Sequence, residues 1–274
     1  MTPHSPTTRF SYLPKWLAFF DFLGIFECDP FRNSLFVKRI LIFVLGWATY
    51  FRFTVVNKIR IEGTEHLESL PENGVLFLSN HQTYFADVIC FYHIFCSVKW
   101  GFKNTIIPPL YLLSPRVRSY YVAASETMKG GLVPRIFGLG GALTVERSWR
   151  AAGQNVQRGR DTAASDKVAQ ALQHGWVVSF PQGTTSPYAP IRKGTGHLVL
   201  DNDPIVVPIV INGFRRAFDK KGLRFKKRNS ILSVRFKAPI RFAPDTPVED
   251  IVERIRKEIE QDIPPSMTWM QARE

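Results

Sequence analysis

The chain has 274 residues, of which 45% are hydrophobic and 13% aromatic. That length and composition suit one large domain with a sizeable core and exclude a chain that is disordered throughout. The formal net charge of +13 indicates anionic partners, and nucleic acid, an acidic lipid surface and phosphorylated substrates all qualify. Three cysteines, Cys28, Cys90 and Cys96, form neither a metal-ligand spacing nor a disulfide framework. No metal site is therefore predicted, and the default location is a reducing one that faces the cytoplasm.

The N-terminal part of the chain predicts membrane attachment. Residues 10–26 are dense in aromatic side chains, and residues 35–56 are strongly apolar but include Lys38, Arg39 and Arg52. The longest uncharged run there, residues 40–51, has 12 residues, whereas a membrane-spanning helix needs about 20. We therefore expect a helix that lies in the headgroup region rather than one that spans, with a core helix pair of a soluble protein as the alternative. The predicted division is residues 1–56, membrane-associated helices, and residues 57–274, an α/β domain.

The first strands of that α/β domain lead to a histidine in a loop. Residues 57–63 alternate apolar and polar side chains, and the apolar run of residues 74–78 follows a turn-forming Pro-Glu-Asn-Gly sequence. His81 then lies just after a buried strand, and Asp87 opens an apolar segment that suits a helix. A carboxylate in that position can fix the imidazole tautomer, so that the other ring nitrogen takes a proton from a hydroxyl. The alternative is that His81 is a turn residue and Asp87 a helix cap.

A second stretch makes the catalytic interpretation the stronger one. Phe-Pro-Gln-Gly-Thr-Thr-Ser at residues 180–186 also follows a predicted strand, residues 176–179. Together with the Asn80-His81 and Asp87 stretch, it resembles the glycerolipid acyltransferase family, whose best-known members acylate 1-acyl-glycerol-3-phosphate. The family pattern is Asn-His, four residues and Asp, followed about a hundred residues later by Phe-Pro-Glu-Gly-Thr-Arg-Ser. The resemblance runs from about residue 57 to about residue 263.

This sequence departs from the family pattern at three points. Five residues, not four, separate His81 from Asp87, and a loop can absorb one residue. Gln182 stands where the family has Glu, and Thr185 where it has Arg. The resemblance assigns those two positions to the polar acceptor, and loss of the arginine removes a bidentate ligand for phosphate. The reaction type is therefore better supported than the acceptor.

Further motifs of the resemblance indicate substrate-binding residues. Residues 141–147 resemble a strand that delivers Arg147 to the phosphate of the substrate, and residues 190–197 resemble a basic-Lys-Gly element in which Lys193 and backbone amides face an anion. A surface salt bridge is the alternative for Arg147. Gln182 is assigned to the acceptor by its position, and the backbone amides of Gly183 and Thr184 are candidates for an oxyanion site.

A basic segment lies near the C-terminal end of the chain. Residues 215–228 hold eight basic residues in fourteen, interleaved with phenylalanines. Charge with stacking can bind single-stranded nucleic acid, and the same charge can hold an anionic leaflet. The membrane interpretation agrees with the N-terminal prediction, so no nucleic acid is expected. Beyond the segment, residues 246–249 have the spacing of a capping box before a last amphipathic helix that reaches about residue 263.

Strands that alternate with helices from residue 57 onward predict an α/β fold, a mixed sheet flanked by helices behind an N-terminal helical membrane element. The resemblance implies direct transfer of a fatty acyl group from acyl-CoA or acyl-carrier protein to a lysolipid hydroxyl, by default that of 1-acyl-glycerol-3-phosphate in phospholipid synthesis. No Gly-x-Ser-x-Gly motif is present and no cysteine adjoins a plausible base in the sequence, so no covalent intermediate is expected. No resident cofactor is expected, and acyl-CoA or acyl-carrier protein is a co-substrate. The alternatives are a lyso-aminolipid or another non-phosphate acceptor and, from another class, a non-catalytic basic protein that binds membranes or nucleic acid.

Overall fold

A computed structural model describes residues 27–128, 131–146, 150–151, 154–155 and 162–262. The aromatic residues 10–26 lie outside this part of the chain. The helices are α1 (Leu35–Thr54), α2 (Glu65–Glu68), α3 (Ala86–Lys99), α4 (Ser125–Met128), α5 (Leu132–Leu139), α6 (Thr162–His174), α7 (Lys193–Asn202), α8 (Phe214–Ala217) and α9 (Val248–Glu258), with a 3-10 helix at Pro109–Leu113. The strands are β1 (Lys58–Glu62), β2 (Val75–Ser79), β3 (Ser119–Ala124), β4 (Ala142–Val145), β5 (Arg150–Ala151), β6 (Gln154–Asn155), β7 (Trp176–Ser179), β8 (Ile205–Asn212) and β9 (Ile231–Phe236).

Within the described residues, seven strands form one mixed sheet in the order β1-β9-β8-β2-β7-β3-β4. Five of them, from β8 to β4, are mutually parallel, whereas β9 runs antiparallel to β8 and pairs in parallel with β1. Parallel strands end at the same edge, so the loops after β2, β3, β4 and β7 meet there. The α/β prediction of a mixed sheet flanked by helices is confirmed.

Helices cover both faces of this sheet. Strand β2 is buried at all its positions, which explains its continuous apolar run. Alternate side chains of β2 point to opposite faces of the sheet and belong to two different hydrophobic clusters. Phe77 packs with residues of α1 and α3, and Leu76 packs with residues of α6, α7 and α9. The sheet is therefore the rigid middle layer on which the loops at its carboxyl edge are mounted.

Helix α1 is apolar on two sides. Residues such as Ile42 and Phe53 are buried in the core, whereas Val44 is 55% exposed and Val37, Ile40, Phe43, Trp47, Phe51 and Val55 are exposed with it. In the part of the chain that the structure covers, no helix is both long enough and apolar enough to cross a membrane. The predicted boundary between residues 56 and 57 stays a prediction, although α1 also packs on the core.

One local prediction was wrong at the end of a helix. Helix α9 begins after Pro247 as its N-cap, with no side-chain cap hydrogen bond, where the sequence predicted a capping box. The capping box does not form, because Glu249 forms an ion pair with Lys193 instead, at 2.6 Å between Oε1 and Nζ. A contact between two helices thus replaces a contact within one.

A lysine is buried between α1 and the sheet. The Lys38 Nζ donates a hydrogen bond to the Ser119 carbonyl and lies 4.3 Å from the centre of the Tyr120 ring. Burial lowers the pKa of Lys38 to about 7, and nearby Asp29 opposes that shift. The folded protein therefore disfavours the charged form of this amine.

We expect Lys38→Met to raise the free energy of unfolding more at pH 6 than at pH 9. Between the lowered pKa of about 7 and the unfolded pKa of about 10.4, the unfolded chain holds a proton that the folded one lacks, so wild-type stability rises with pH. Below pH 7 both states are protonated, and the cost of burying the charge is present in full. The Tyr92 hydroxyl lies 2.8 Å from the Ser119 carbonyl and 2.6 Å from the Gly140 carbonyl, so the Ser119 carbonyl shares that one donor in the variant. Urea unfolding at both pH values, with exposed Lys58→Met as the control, measures this, and an equal gain at both would contradict it.

Candidate active site

The carboxyl end of β2 is fixed to its neighbour by Asn80. The side-chain amide of Asn80 donates to the Ile211 carbonyl at 2.9 Å, and its oxygen accepts from the Ile211 amide at 2.8 Å. This pair of bonds continues the contact between β2 and β8 by one residue beyond the strand. The backbone that carries His81 therefore leaves the sheet at a defined point.

Four hydrogen bonds converge on the carboxylate of Asp87, which is fully buried. Its Oδ2 accepts from the backbone N–H groups of Gln82 at 2.7 Å and Thr83 at 3.0 Å and lies 2.9 Å from the His81 Nδ1, while its Oδ1 accepts from the Thr83 hydroxyl at 2.7 Å. Because Asp87 accepts from this set of donors, we assign the imidazole proton to Nδ1. The Nε2 atom of His81 is then the proton acceptor.

The loop absorbs its additional residue without separating the pair. His81 and Asp87 meet although five residues lie between them, since Asp87 sits in the first turn of α3 and the loop folds back over it. The histidine is 13% exposed and the aspartate 0%. An orienting carboxylate that is sealed from water beside an accessible imidazole is the arrangement that general-base catalysis requires.

Phe180 is a site residue that the sequence analysis did not single out. Its ring stacks on the imidazole of His81 with centroids 3.8 Å apart and planes inclined by 23°. Asp87 holds the Nδ1 edge of the imidazole, and the Phe180 ring covers one of its faces, so the two contacts together restrict rotation of the ring. The signal in the sequence was its place, directly after β7 at the same sheet edge.

A second histidine on α3 has a different role. His93 is buried, and its two ring nitrogens lie 3.0 Å from the Thr49 hydroxyl and 2.8 Å from the Tyr111 hydroxyl. Burial lowers the pKa of His93 to about 3, so this imidazole stays neutral. It joins α1, α3 and the 3-10 helix and takes no part in the site.

His81 opens onto a cavity of about 430 Å³ at the carboxyl edge of the sheet. Residues that follow or end β2, β3, β4 and β7 line it, together with the first turns of α6 and α7, and they include Tyr84, Phe180, Gly183, Thr184, Glu146 and Arg192. Most of the lining side chains are apolar. The cavity is large enough for part of an apolar ligand, with a few polar groups to orient it.

The predicted substrate-binding residues are placed differently from one another. Gly183 and Thr184 line the cavity. The Gly183 N–H donates to the Phe180 carbonyl at 2.9 Å, which leaves the Thr184 N–H, unbonded within the described chain, as the candidate for an oxyanion. Arg147 lies outside the described residues.

Two of the predicted residues do not line the cavity. Gln182 is 1% exposed and donates to the Ala189 carbonyl at 2.9 Å and to the Gln261 side chain at 3.0 Å. It holds the loop after β7 together, and its side chain makes no contact with the cavity. Lys193 is largely exposed and paired with Glu249. The roles that the resemblance assigns to these two residues stay predictions, and this arrangement does not favour them.

Arg192, one residue before the predicted lysine, occupies the place foreseen for Lys193. It precedes α7 with an extended backbone, and its N–H donates to the Pro181 carbonyl at 2.9 Å. Among the residues that the structure describes, Arg192 is the one Lys or Arg that lines the cavity. A guanidinium there suits a phosphate ligand better than an ammonium does, because it can bind two oxygens at once.

Comparison with known proteins gives the family of the part of the chain that carries this site. A family model described as Acyltransferase matches residues 58–212, more than half of the chain. The chain belongs to the acyltransferase family. The protein is accordingly an acyltransferase enzyme, and the match contains both the His81 loop and the loop after β7.

Two further comparisons do not identify the substrate of this protein. A search of curated proteins gave no match. The crystal structure of the 1-acyl-sn-glycerophosphate (LPA) acyltransferase PlsC from Thermotoga maritima is similar to 91% of this chain and 90% of that one, at 16% sequence identity and a TM-score of 0.49. A likeness of that size assigns neither donor nor acceptor.

We expect Asp87→Asn to lower the acyl-transfer rate by about 10²–10⁴-fold. The amide keeps the shape of the carboxylate but loses its charge, and its NH₂ group would face either the histidine or the N–H groups of Gln82 and Thr83. A rate assay on purified protein, with thermal unfolding measured alongside, checks this. Asp203→Asn, at an exposed carboxylate that ends α7, is the matched control. A folded Asp87→Asn enzyme with wild-type turnover would exclude Asp87 from catalysis.

Proposed function

We propose that the protein transfers a fatty acyl group from a thioester, acyl-CoA or acyl-carrier protein, to the hydroxyl of a lysophospholipid. The acceptor that we favour is 1-acyl-glycerol-3-phosphate, which makes this a step of phospholipid synthesis. The observation that carries the proposal is the contact between His81 Nδ1 and Asp87 Oδ2, 2.9 Å long, at the wall of the 430 Å³ cavity. It supplies a base for a hydroxyl beside a space for an acyl chain.

The reaction proceeds by direct attack. His81 Nε2 takes the proton of the acceptor hydroxyl as its oxygen bonds to the thioester carbonyl carbon, and Asp87 stabilises the resulting imidazolium. The tetrahedral intermediate then collapses with cleavage of the carbon–sulfur bond. The imidazolium returns the proton to the leaving thiolate, so the products are an ester and a thiol and the enzyme is unchanged.

The buried cysteines are unsuited to act as nucleophiles. Burial raises the pKa of Cys96 to about 12, and it raises that of Cys90 well above its ordinary value, with the charge of Asp87 adding to the effect. A nucleophilic cysteine needs a thiolate, and both thiols stay protonated at neutral pH. This supports transfer without an acyl-enzyme.

Arg192 is the group that we assign to an acceptor phosphate. It lines the same cavity as His81, and the Thr184 N–H that we assign to the oxyanion lies between them in the chain. A cation that lines the same cavity as the base would place the lysolipid by its phosphate and leave the free hydroxyl at Nε2. An acceptor without phosphate would gain nothing from this residue.

We expect transfer of labelled acyl groups from acyl-CoA or acyl-carrier protein to lysophosphatidic acid in detergent, abolished by His81→Ala. Arg192→Met should raise the KM for that acceptor and leave the KM for the acyl donor unchanged, because the lost contact is to phosphate. The same panel includes a lyso-aminolipid and other lysolipids without phosphate.

The panel separates the alternatives. Product from the non-phosphate acceptors alone would replace the phosphate acceptor while keeping the acyl transfer. No product from any pair would contradict the proposal and leave a protein that only binds membranes or nucleic acid. In that case salt-sensitive binding should survive His81→Ala, since adsorption needs the basic segment alone.

We further propose that the enzyme attaches to an anionic membrane surface, with its active site facing the cytoplasm. The exposed apolar side of α1 is the face for lipid, and the basic segment of residues 215–228 contacts the carboxyl end of α1, so apolar and cationic surface adjoin. Its exposed members are Arg216, Lys220, Lys221, Arg224, Lys226, Lys227 and Arg228. The free thiols of Cys28, Cys90 and Cys96 fit a reducing compartment.

We expect the protein to bind vesicles that contain anionic lipid more strongly than zwitterionic ones, and less strongly as salt is added. Val44→Glu should weaken binding to anionic vesicles about tenfold, because Val44 would no longer be buried in lipid. Flotation of vesicles with bound protein measures this. Gln170→Glu adds the same charge at an exposed position of α6 and serves as the control. Equal binding of both variants would exclude α1 as the lipid-facing element.

A further inference from the structure

A turn in the basic segment, residues 219–223, lies directly behind the catalytic loop. The backbone N–H groups of Tyr84 and Phe85 donate to the Lys220 and Lys221 carbonyls, each at 3.0 Å. The N–H groups of Gln82 and Thr83 are already bound to Asp87. Four consecutive amides of the loop are thus divided between the carboxylate and the turn, and each pair needs its partner because buried amides must be bonded.

Gly222 brings this turn into close contact with the loop. Its φ of +79° is a conformation that suits glycine, and a Cβ atom placed on it would lie 2.5 Å from the Ala86 backbone nitrogen and 2.9 Å from the Thr83 hydroxyl. That hydroxyl donates to Asp87. The turn therefore touches the group that holds the carboxylate.

Arg52 attaches the same turn to α1. Its Nη2 donates to the carbonyls of Gly222 and Leu223, both at 3.0 Å. The guanidinium lies over the rings of Phe218 and Phe225, 5.1 and 4.9 Å from their centres. Two carbonyls and two aromatic faces define its place, a combination that a lysine ammonium reproduces only in part.

We infer that the 219–223 turn, held on α1 by Arg52, is a positioning element that keeps Thr83, Asp87 and His81 in the geometry for proton transfer. The inference rests on the proposed acyl transfer and extends it to residues outside the cavity. A displacement of α1 or of the turn would shift the loop that carries His81, because Lys220, Lys221 and Gly222 contact that loop directly. The loop between His81 and Asp87 has one residue more than the family pattern. The turn binds the amides of Tyr84 and Phe85, which lie within that longer loop.

The sharpest test compares two glycines with the same backbone conformation. Gly101 also has a φ of +79°, but a Cβ placed there meets nothing within 4 Å. Alanine at either position costs the same local strain, and only Gly222→Ala displaces the catalytic loop. We expect Gly222→Ala to lower kcat about 10²-fold with the KM for the acceptor unchanged, and Gly101→Ala to leave kcat unchanged. Equal kcat values for the two variants would overturn the inference.

Arg52 provides an independent arm should Gly222→Ala fail to fold. Arg52→Met should lower kcat about tenfold, with partial recovery in Arg52→Lys and with added guanidinium chloride at concentrations below those that unfold the protein. Sodium chloride at equal concentration should not restore turnover. Arg60→Met, at an exposed arginine of β1, is the control. Turnover of Arg52→Met that equals the control would contradict the inference.

Hydrogen exchange separates failure of the inference from failure of the proposed function. The amides of Tyr84 and Phe85 should exchange faster in Arg52→Met and Gly222→Ala than in wild type, while those of β7 stay protected. Unchanged protection at both amides would overturn the inference whatever the activity. Faster exchange at these amides in the two variants, together with a wild-type protein that turns over no acyl donor, would support the positioning role and reject the acyl transfer.

Discussion

The ionised carboxylate of Asp87 is the constraint on which the site depends. A fully buried charge is costly unless donors surround it, and Asp87 has three from the loop in front of it besides the imidazole. The loop takes its shape in order to satisfy that charge, and His81 is one of the donors. The same bonds that make the burial of Asp87 tolerable therefore aim the imidazole at the cavity.

The sheet supplies the fixed points for this arrangement. Asn80 bonds the loop to β8 on one side, and Phe180, which follows β7, stacks on the imidazole from the other. Both neighbours are parallel to β2, so their carboxyl ends lie at the same level as His81. A histidine between two strands of one rigid layer loses little further freedom when a substrate binds, which is what a base in a direct transfer needs.

The local parts of this site could be predicted from the sequence, and the contacts between distant segments could not. The strand before His81, the helix opened by Asp87 and the strand before Phe180 follow from apolar runs and turn residues. The choice between Arg192 and Lys193 depends on where α7 begins, because Arg192 precedes the helix with an extended backbone and Lys193 is its first residue. The contact of Gly222 with Ala86 joins segments far apart in the chain, and no periodicity carries such information.

The departure at Thr185 is easier to understand from the contacts of its backbone than from its side chain. Thr185 is 7% exposed, and its carbonyl accepts a hydrogen bond from the guanidinium of Arg215. A guanidinium thus reaches the loop from the basic segment and not from the loop itself, but one that holds a carbonyl is less available to clasp a phosphate. Arg192, the one Lys or Arg among the described residues that line the cavity, is the residue that we propose for a charged headgroup. The loop after β7 keeps a structural arginine contact, while the phosphate contact that we propose lies at the start of α7.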